Sequence, residues 1–114
     1  MATASVLSVL FLLVALAAGQ SGLTGGASRI NPNDPELRSI LNNAVAAQNS
    51  QSNDEPIRVL AIQRATSQVV SGTLYAVDYI ASGQRSGRIL RCHSEILDQP
   101  WTNPQPKIVK HRCN

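Results

Sequence analysis

Two different apolar periods divide the chain. From Asp34 onward they recur at helical spacing: Leu37, Ile40, Leu41, Ala44 and Val45 fall at i, i+3, i+4, i+7 and i+8 and make one apolar face. Asp34 is a good N-cap, and Pro35 suits the first helical position, where a missing N–H costs nothing. The polar stretch NSQSNDEP ends this helix, and Pro56 forbids its continuation. Small residues late on the apolar face let a sheet approach closely. From Ile57 the period drops to two. IRVLAIQRATS (57–67) and TLYAVDYIAS (73–82) are β-branched and aromatic with alternation, as in half-buried strands. SGQRSG (82–87) is a loop, RILRCHSEIL (88–97) a third strand and KIVKHRC (107–113) a fourth. Between the last two lies DQPWTNPQP (98–106), whose prolines cannot donate to a ladder.

This order predicts an α+β domain: an antiparallel meander of four to five strands wrapped around one N-terminal helix. The fifth strand would come from residues 20–33, QSGLTGGASRINPN, a Gly-, Ser- and Asn-rich arm able to add a short edge strand. The first residues differ in kind. An apolar run from Val6 to Ala18 is too short to span a bilayer and ends in Ala17-Ala18-Gly19, small side chains suited to a cut before Gln20. Residues 1–19 therefore read as a secretory signal peptide and 20–114 as the mature domain. No Lys or Arg precedes the run, so an N-terminal membrane anchor is the alternative.

The net charge of +3 belongs wholly to the mature part, and its ten Lys and Arg are dispersed. No dense basic run and no interleaved aromatics argue for nucleic-acid binding or for a polybasic membrane patch. The expected protein thus has no nucleic-acid partner and no membrane association after cleavage. Cys92 and Cys113 are the only cysteines, and in an exported chain an even count reads as a disulfide. Two Cys and two scattered His make no metal-ligand set, and no cofactor is expected. Cys92-His93 could suggest a nucleophile. Strand neighbours point to opposite faces, however, and a bridged sulfur is no thiolate, so an enzyme is not expected.

The pattern leaves apolar pieces outside the core. Gln68-Val69-Val70-Ser71-Gly72 forms the hairpin between the first two long strands, with Gly72 free to take a positive φ and the valines at the tip. Trp101, the only tryptophan, sits beside Pro100 in the Pro-rich connection. Leu23 lies in the arm. In a linear meander, alternate hairpins share one end of the sheet, and the arm emerges there too. Gathered apolar residues of this kind mark an interaction site. Taken singly each has a plainer reading: a buried Trp, a strand carried one residue further, a Gly-Gly linker.

In this order the residues resemble the cystatins, secreted inhibitors of papain-like cysteine proteases. Gln68, Val70 and Gly72 meet the family's Gln-x-Val-x-Gly, and Pro100 and Trp101 its Pro-Trp hairpin. Gly25 meets its N-terminal glycine, with Leu23 and Thr24 before it and Gly26 as the alternative. Cys92 and Cys113 resemble the C-terminal disulfide of the secreted, type-2 branch; the branch's earlier disulfide has no counterpart in the short SGQRSG. The resemblance implies a reversible wedge in the cleft of a papain-like, cathepsin-class protease. Leu23 and Thr24 would occupy non-primed subsites, Gly25 would turn the chain from the thiolate, and Gln68–Gly72 with Pro100 and Trp101 would cover the primed side. It implies a monomer located outside the cell, granules and lysosomes being alternatives. Ser52, Asn53 and Asp54 resemble a loop by which some cystatins inhibit legumain, although Ser, Asn and Asp suit any post-helix turn. The competing class is a non-inhibitory cystatin-fold module that binds an anionic partner.

Overall fold

The computed structural model describes residues 26–114. The elements are β1 (Ser28–Ile30), α1 (Pro35–Gln51), β2 (Ile57–Val70), β3 (Gly72–Gly83), β4 (Ile89–Asp98) and β5 (Lys107–Cys113). The strands form one antiparallel sheet in the order β1-β2-β3-β4-β5. The expected α+β meander around one helix is what forms, with the arm supplying the fifth strand.

Helix α1 begins as its sequence dictates. The Asp34 carboxylate accepts the Glu36 N–H at 3.0 Å, and Pro35 opens the first turn. Leu37, Leu41, Ala44 and Val45 are buried, and Ile40 packs at the rim. They meet Ile57, Ile62, Ala65, Val77, Tyr79, Ala81 and Ile96 from the inner face of the sheet. A fully buried leucine such as Leu37 or Leu41 contributes about 1.5–3 kcal/mol. The helix runs three residues further than NSQSNDEP implies, to Gln51, where the Ser52 N–H bonds the Gln48 carbonyl at 3.0 Å. The reason lies in Asn49. Its side-chain amide donates to the Ile57 carbonyl at 2.9 Å and its carbonyl accepts the Ile57 N–H at 3.1 Å, so the last turn is stitched to the start of β2.

The sheet curves around the helix with the help of bulges. Leu60 and Gln63 are extra residues in β2, and Val109 is extra in β5. Leu60 and Val109 are exposed because the bulge turns them outward. Inside, the Tyr79 hydroxyl meets the Ser94 hydroxyl at 2.8 Å, and Ser94 meets His111 Nδ1 at 2.8 Å. Burial pushes His111 below its ordinary value, which favours the neutral imidazole in that hydrogen-bonded chain. No buried side-chain N or O atom lacks a partner among the described residues. Cys92 and Cys113 face each other across β4 and β5 and are joined by a disulfide, tying the last strand to the sheet.

Candidate functional site

The site is built at the end of the sheet where β2 turns into β3 and β4 leaves for β5. The first turn is tighter than the sequence reading has it. Gln68, Val69 and Val70 remain in the ladder opposite Leu74, Thr73 and Gly72, and only Ser71 lies outside a strand. Two adjacent β-branched residues prefer extended backbone, so β2 carries on to the turn itself. Gly72 takes φ +107°, as the turn requires. Val69 is 62% exposed, Ser71 is exposed, and Gln68 and Val70 are half-buried.

The second hairpin lies directly alongside. Thr73 pairs with Asp98, so β4 ends beside the β2–β3 turn. A Cβ at Gly72 would collide with the Asp98 carbonyl oxygen and with the Gln99 side chain. The Gln99 side-chain amide donates to the Ser71 carbonyl, linking the two turns. Beyond it the chain folds back at once, as the Thr102 and Asn103 N–H groups both bond the Gln99 carbonyl at 2.9 Å. Pro100 is exposed, and Trp101 stands 68% exposed on this turn. Gln99 is the residue that sequence reasoning missed. Its only signal is its place immediately before Pro100, since its partner becomes visible only once the two turns are neighbours.

The arm arrives at the same end. Ser28, Arg29 and Ile30 pair with Ser67, Thr66 and Ala65, so the chain preceding Ser28 heads for Gln68 and Val69. Gly26 is exposed, with open space around a Cβ and no positive φ, so nothing local demands a glycine there. Leu23, Thr24 and Gly25 lie outside the described residues. Near this end, burial and then the Asp98, Glu36 and Asp34 carboxylates push the Tyr75 phenol upward, keeping it a neutral hydrogen-bonding group.

Ser52, Asn53 and Asp54 occupy the opposite end. Ser52 caps α1, Asn53 and Asp54 are exposed, and the Asp54 N–H bonds the Ser52 hydroxyl at 3.0 Å. The short connection between β3 and β4 is fastened to this loop. Glu55 accepts the Ser86 and Arg85 N–H groups and the Ser86 hydroxyl, and Gln84 N–H bonds the Pro56 carbonyl at 2.9 Å. The Ser86 N–H, with the Ser86 hydroxyl and the Arg85 N–H behind it, holds Glu55 below its ordinary value against a smaller opposing effect of burial.

Among the described residues no cluster of His, Cys, Asp and Glu is arranged to hold a metal, no cysteine is free, and no helix is long and apolar enough to cross a membrane. The geometry is that of an edge exposing Val69, Pro100 and Trp101, its two turns joined by Gln99. Residues 25–106 match the Cystatin domain.

The chain belongs to the cystatin family. It is 33% identical over 97 residues to cystatin Pr17a of Platymeris rhadamanthus, covering 81% of this chain and 81% of that protein. It is 30% identical over 95 residues to kininogen-1 of Mus musculus, covering 67% of this chain but only 14% of the kininogen. In solved structures it resembles dimeric human cystatin F, with a TM-score of 0.64 at 22% identity over 80% of this chain and 87% of that one. The last likeness speaks for the fold alone. Cystatins are protease inhibitors rather than enzymes.

Proposed function

We propose that this cystatin is a reversible, tight-binding inhibitor of papain-like cysteine proteases of the cathepsin class, secreted after loss of residues 1–19. The reading rests on one observation: Val69 and Trp101 stand exposed at adjacent hairpins that Gln99 ties together. A papain-like enzyme holds its Cys–His pair at the base of a cleft. An apolar edge inserted there blocks substrate without presenting a scissile bond. Gln68–Gly72 and Pro100-Trp101 cover the primed side, while Leu23 and Thr24 lie in the non-primed subsites and Gly25 bends the chain away from the thiolate. The turns are ordered before binding, which limits the entropy lost on association. Trp101 adds a large contact area with two χ angles to fix.

Truncating Trp101 tests the role of the second turn. Trp101→Ala is expected to weaken inhibition of papain by about 1–4 kcal/mol, chiefly by faster dissociation. Because the ring is already in water, folding stability should stay within about 0.5 kcal/mol of the parent. Equal dissociation rates for variant and parent would remove Trp101 from the interface.

The position of Ser52-Asn53-Asp54 favours a second activity. The loop is fixed on both flanks, exposes Asn53, and lies at the far end of the sheet from the hairpin edge. Asn-specific legumain could therefore be held while the first edge is occupied. Asn53→Lys is expected to abolish legumain inhibition and leave papain inhibition intact. A parent chain inert toward legumain ends this second reading.

A further inference from the structure

The outer face of the sheet, turned away from α1, carries charge unlike the rest of the molecule. Register and alternation put Arg29, Arg58, Arg64, Arg91, Lys107, Lys110 and Arg112 on it, seven of the chain's ten Lys and Arg. Its only side-chain carboxylates among the described residues are Asp78 and Glu95, and both are occupied. Asp78 is held by Arg64 at 3.0 Å and by His93 Nδ1 at 2.6 Å, and Glu95 by His93 Nε2 at 3.2 Å. Arg91, Arg112, Lys110 and Lys107 make no ion pair among the described residues.

These free cations form a line. Arg112 pairs with His93, Lys110 with Glu95 and Lys107 with Leu97, while Arg91 bonds Asn114 through the backbone. Successive outward residues on a strand are about 7 Å apart, so the line follows the β4–β5 pair along its length. A second row crosses it: Arg64, Asp78, His93 and Arg112 lie opposite one another on four strands, with its two arginines about 14 Å apart. Where row and line meet is an open groove of about 440 Å³, lined by Arg64, Asp78, Arg91, His93, Arg112 and Asn114 among others.

We propose that this face binds a linear sulfated polysaccharide. Guanidinium forks suit sulfate oxyanions, and cations spaced along a strand suit a chain with repeated anionic groups better than a single ion. Among the described residues no Tyr or Trp stands on this face to stack a base: Tyr75 and Tyr79 are turned to the core, and Trp101 is on the hairpin edge. The groove lies about 17 Å along β3 from the β2–β3 turn, counting five residues from Thr73 to Asp78, so it stays open when the hairpin edge is occupied. The proposal does not rest on protease inhibition.

The test is titration of the folded, oxidised chain with heparin at increasing salt, with two variants of equal net charge. Arg112→Glu reverses a charge where row and line cross. Arg38→Glu makes the same change on the exposed side of α1. Arg112→Glu is expected to weaken binding roughly ten-fold or more and Arg38→Glu by less than about two-fold, with the parent weakening as salt rises. Arg91→Gln, a milder change in the same groove, should fall between them, and unaltered thermal unfolding shows that each variant is folded. Equal losses for the Arg112 and Arg38 variants would reduce the effect to net charge and overturn the proposal. So would a parent that does not bind heparin at physiological salt, or one that binds single-stranded DNA or anionic vesicles as tightly.

Discussion

At Gly72 a positive φ coincides with close approach of the β4 backbone, so both the turn and its neighbour depend on the absence of a side chain. Gly72→Ala is expected to cost about 1–3 kcal/mol in chemical denaturation, because an L residue is strained there and its Cβ would push Asp98 and Gln99 away. It should also weaken protease binding, since the same push separates the two turns. Unchanged stability would mean that the turn relaxes without the glycine. His111 is decisive in another way. Its folded value is lowered by burial, so the unfolded chain takes up a proton first as pH falls. The stability it contributes is complete above its ordinary value of 6.5 and is lost as pH drops through and below it. Asp78, held low mainly by its bond to His93 and next by Arg64, and Glu55 act in the same direction at lower pH, below the ordinary carboxylate range. The unfolding midpoint is expected to fall between pH 7 and 5, and His111→Gln to flatten that step. A parent midpoint that does not change over the window would contradict this account of the Tyr79–Ser94–His111 chain.

At the scale of elements, the helix was legible because its signals are local: a carboxylate cap, a proline in the first turn and an apolar face at the right spacing. The strands were legible from alternation, yet their ends were not. β2 runs through Val70 because neighbouring valines favour extended backbone and find partners in β3. α1 runs through Gln51 because Asn49 is satisfied by Ile57, eight residues on. Both depend on a partner that only the folded chain supplies. The bulges at Leu60, Gln63 and Val109 were hidden for the same reason. Of the candidate site, Val69, Val70, Gly72, Pro100 and Trp101 could be named from their order. The Gln99–Ser71 bond and the Glu55 clamp on Arg85 and Ser86 could not, since each joins residues about thirty positions apart through side chains common in any loop. That clamp stands where the secreted branch is expected to carry its earlier disulfide. Asn49→Ala, which leaves the Ile57 N–H and carbonyl unpartnered, is expected to cost about 1–3 kcal/mol by urea denaturation.

For the molecule as a whole, the inner sheet face supplies the core, the hairpin end supplies apolar contact, and the outer face carries most of the positive charge. The disulfide lies on the inner face of the sheet, against the core, and closes a separation of 21 residues at the C-terminal strand. Cys92→Ser with Cys113→Ser is expected to lower stability by about 3 kcal/mol, the unfolded-state entropy of such a loop. Since neither cysteine lies at the hairpin end, the reduced-stability variant should still inhibit once folded. The central claim concerns that end. Its most direct test is titration of active papain with the oxidised chain from Gln20 to Asn114, followed by mass analysis of the inhibitor. The account expects stoichiometric, reversible loss of activity with the chain recovered uncleaved. Papain left fully active at micromolar inhibitor, or inhibition that disappears as the chain is cut, would contradict it.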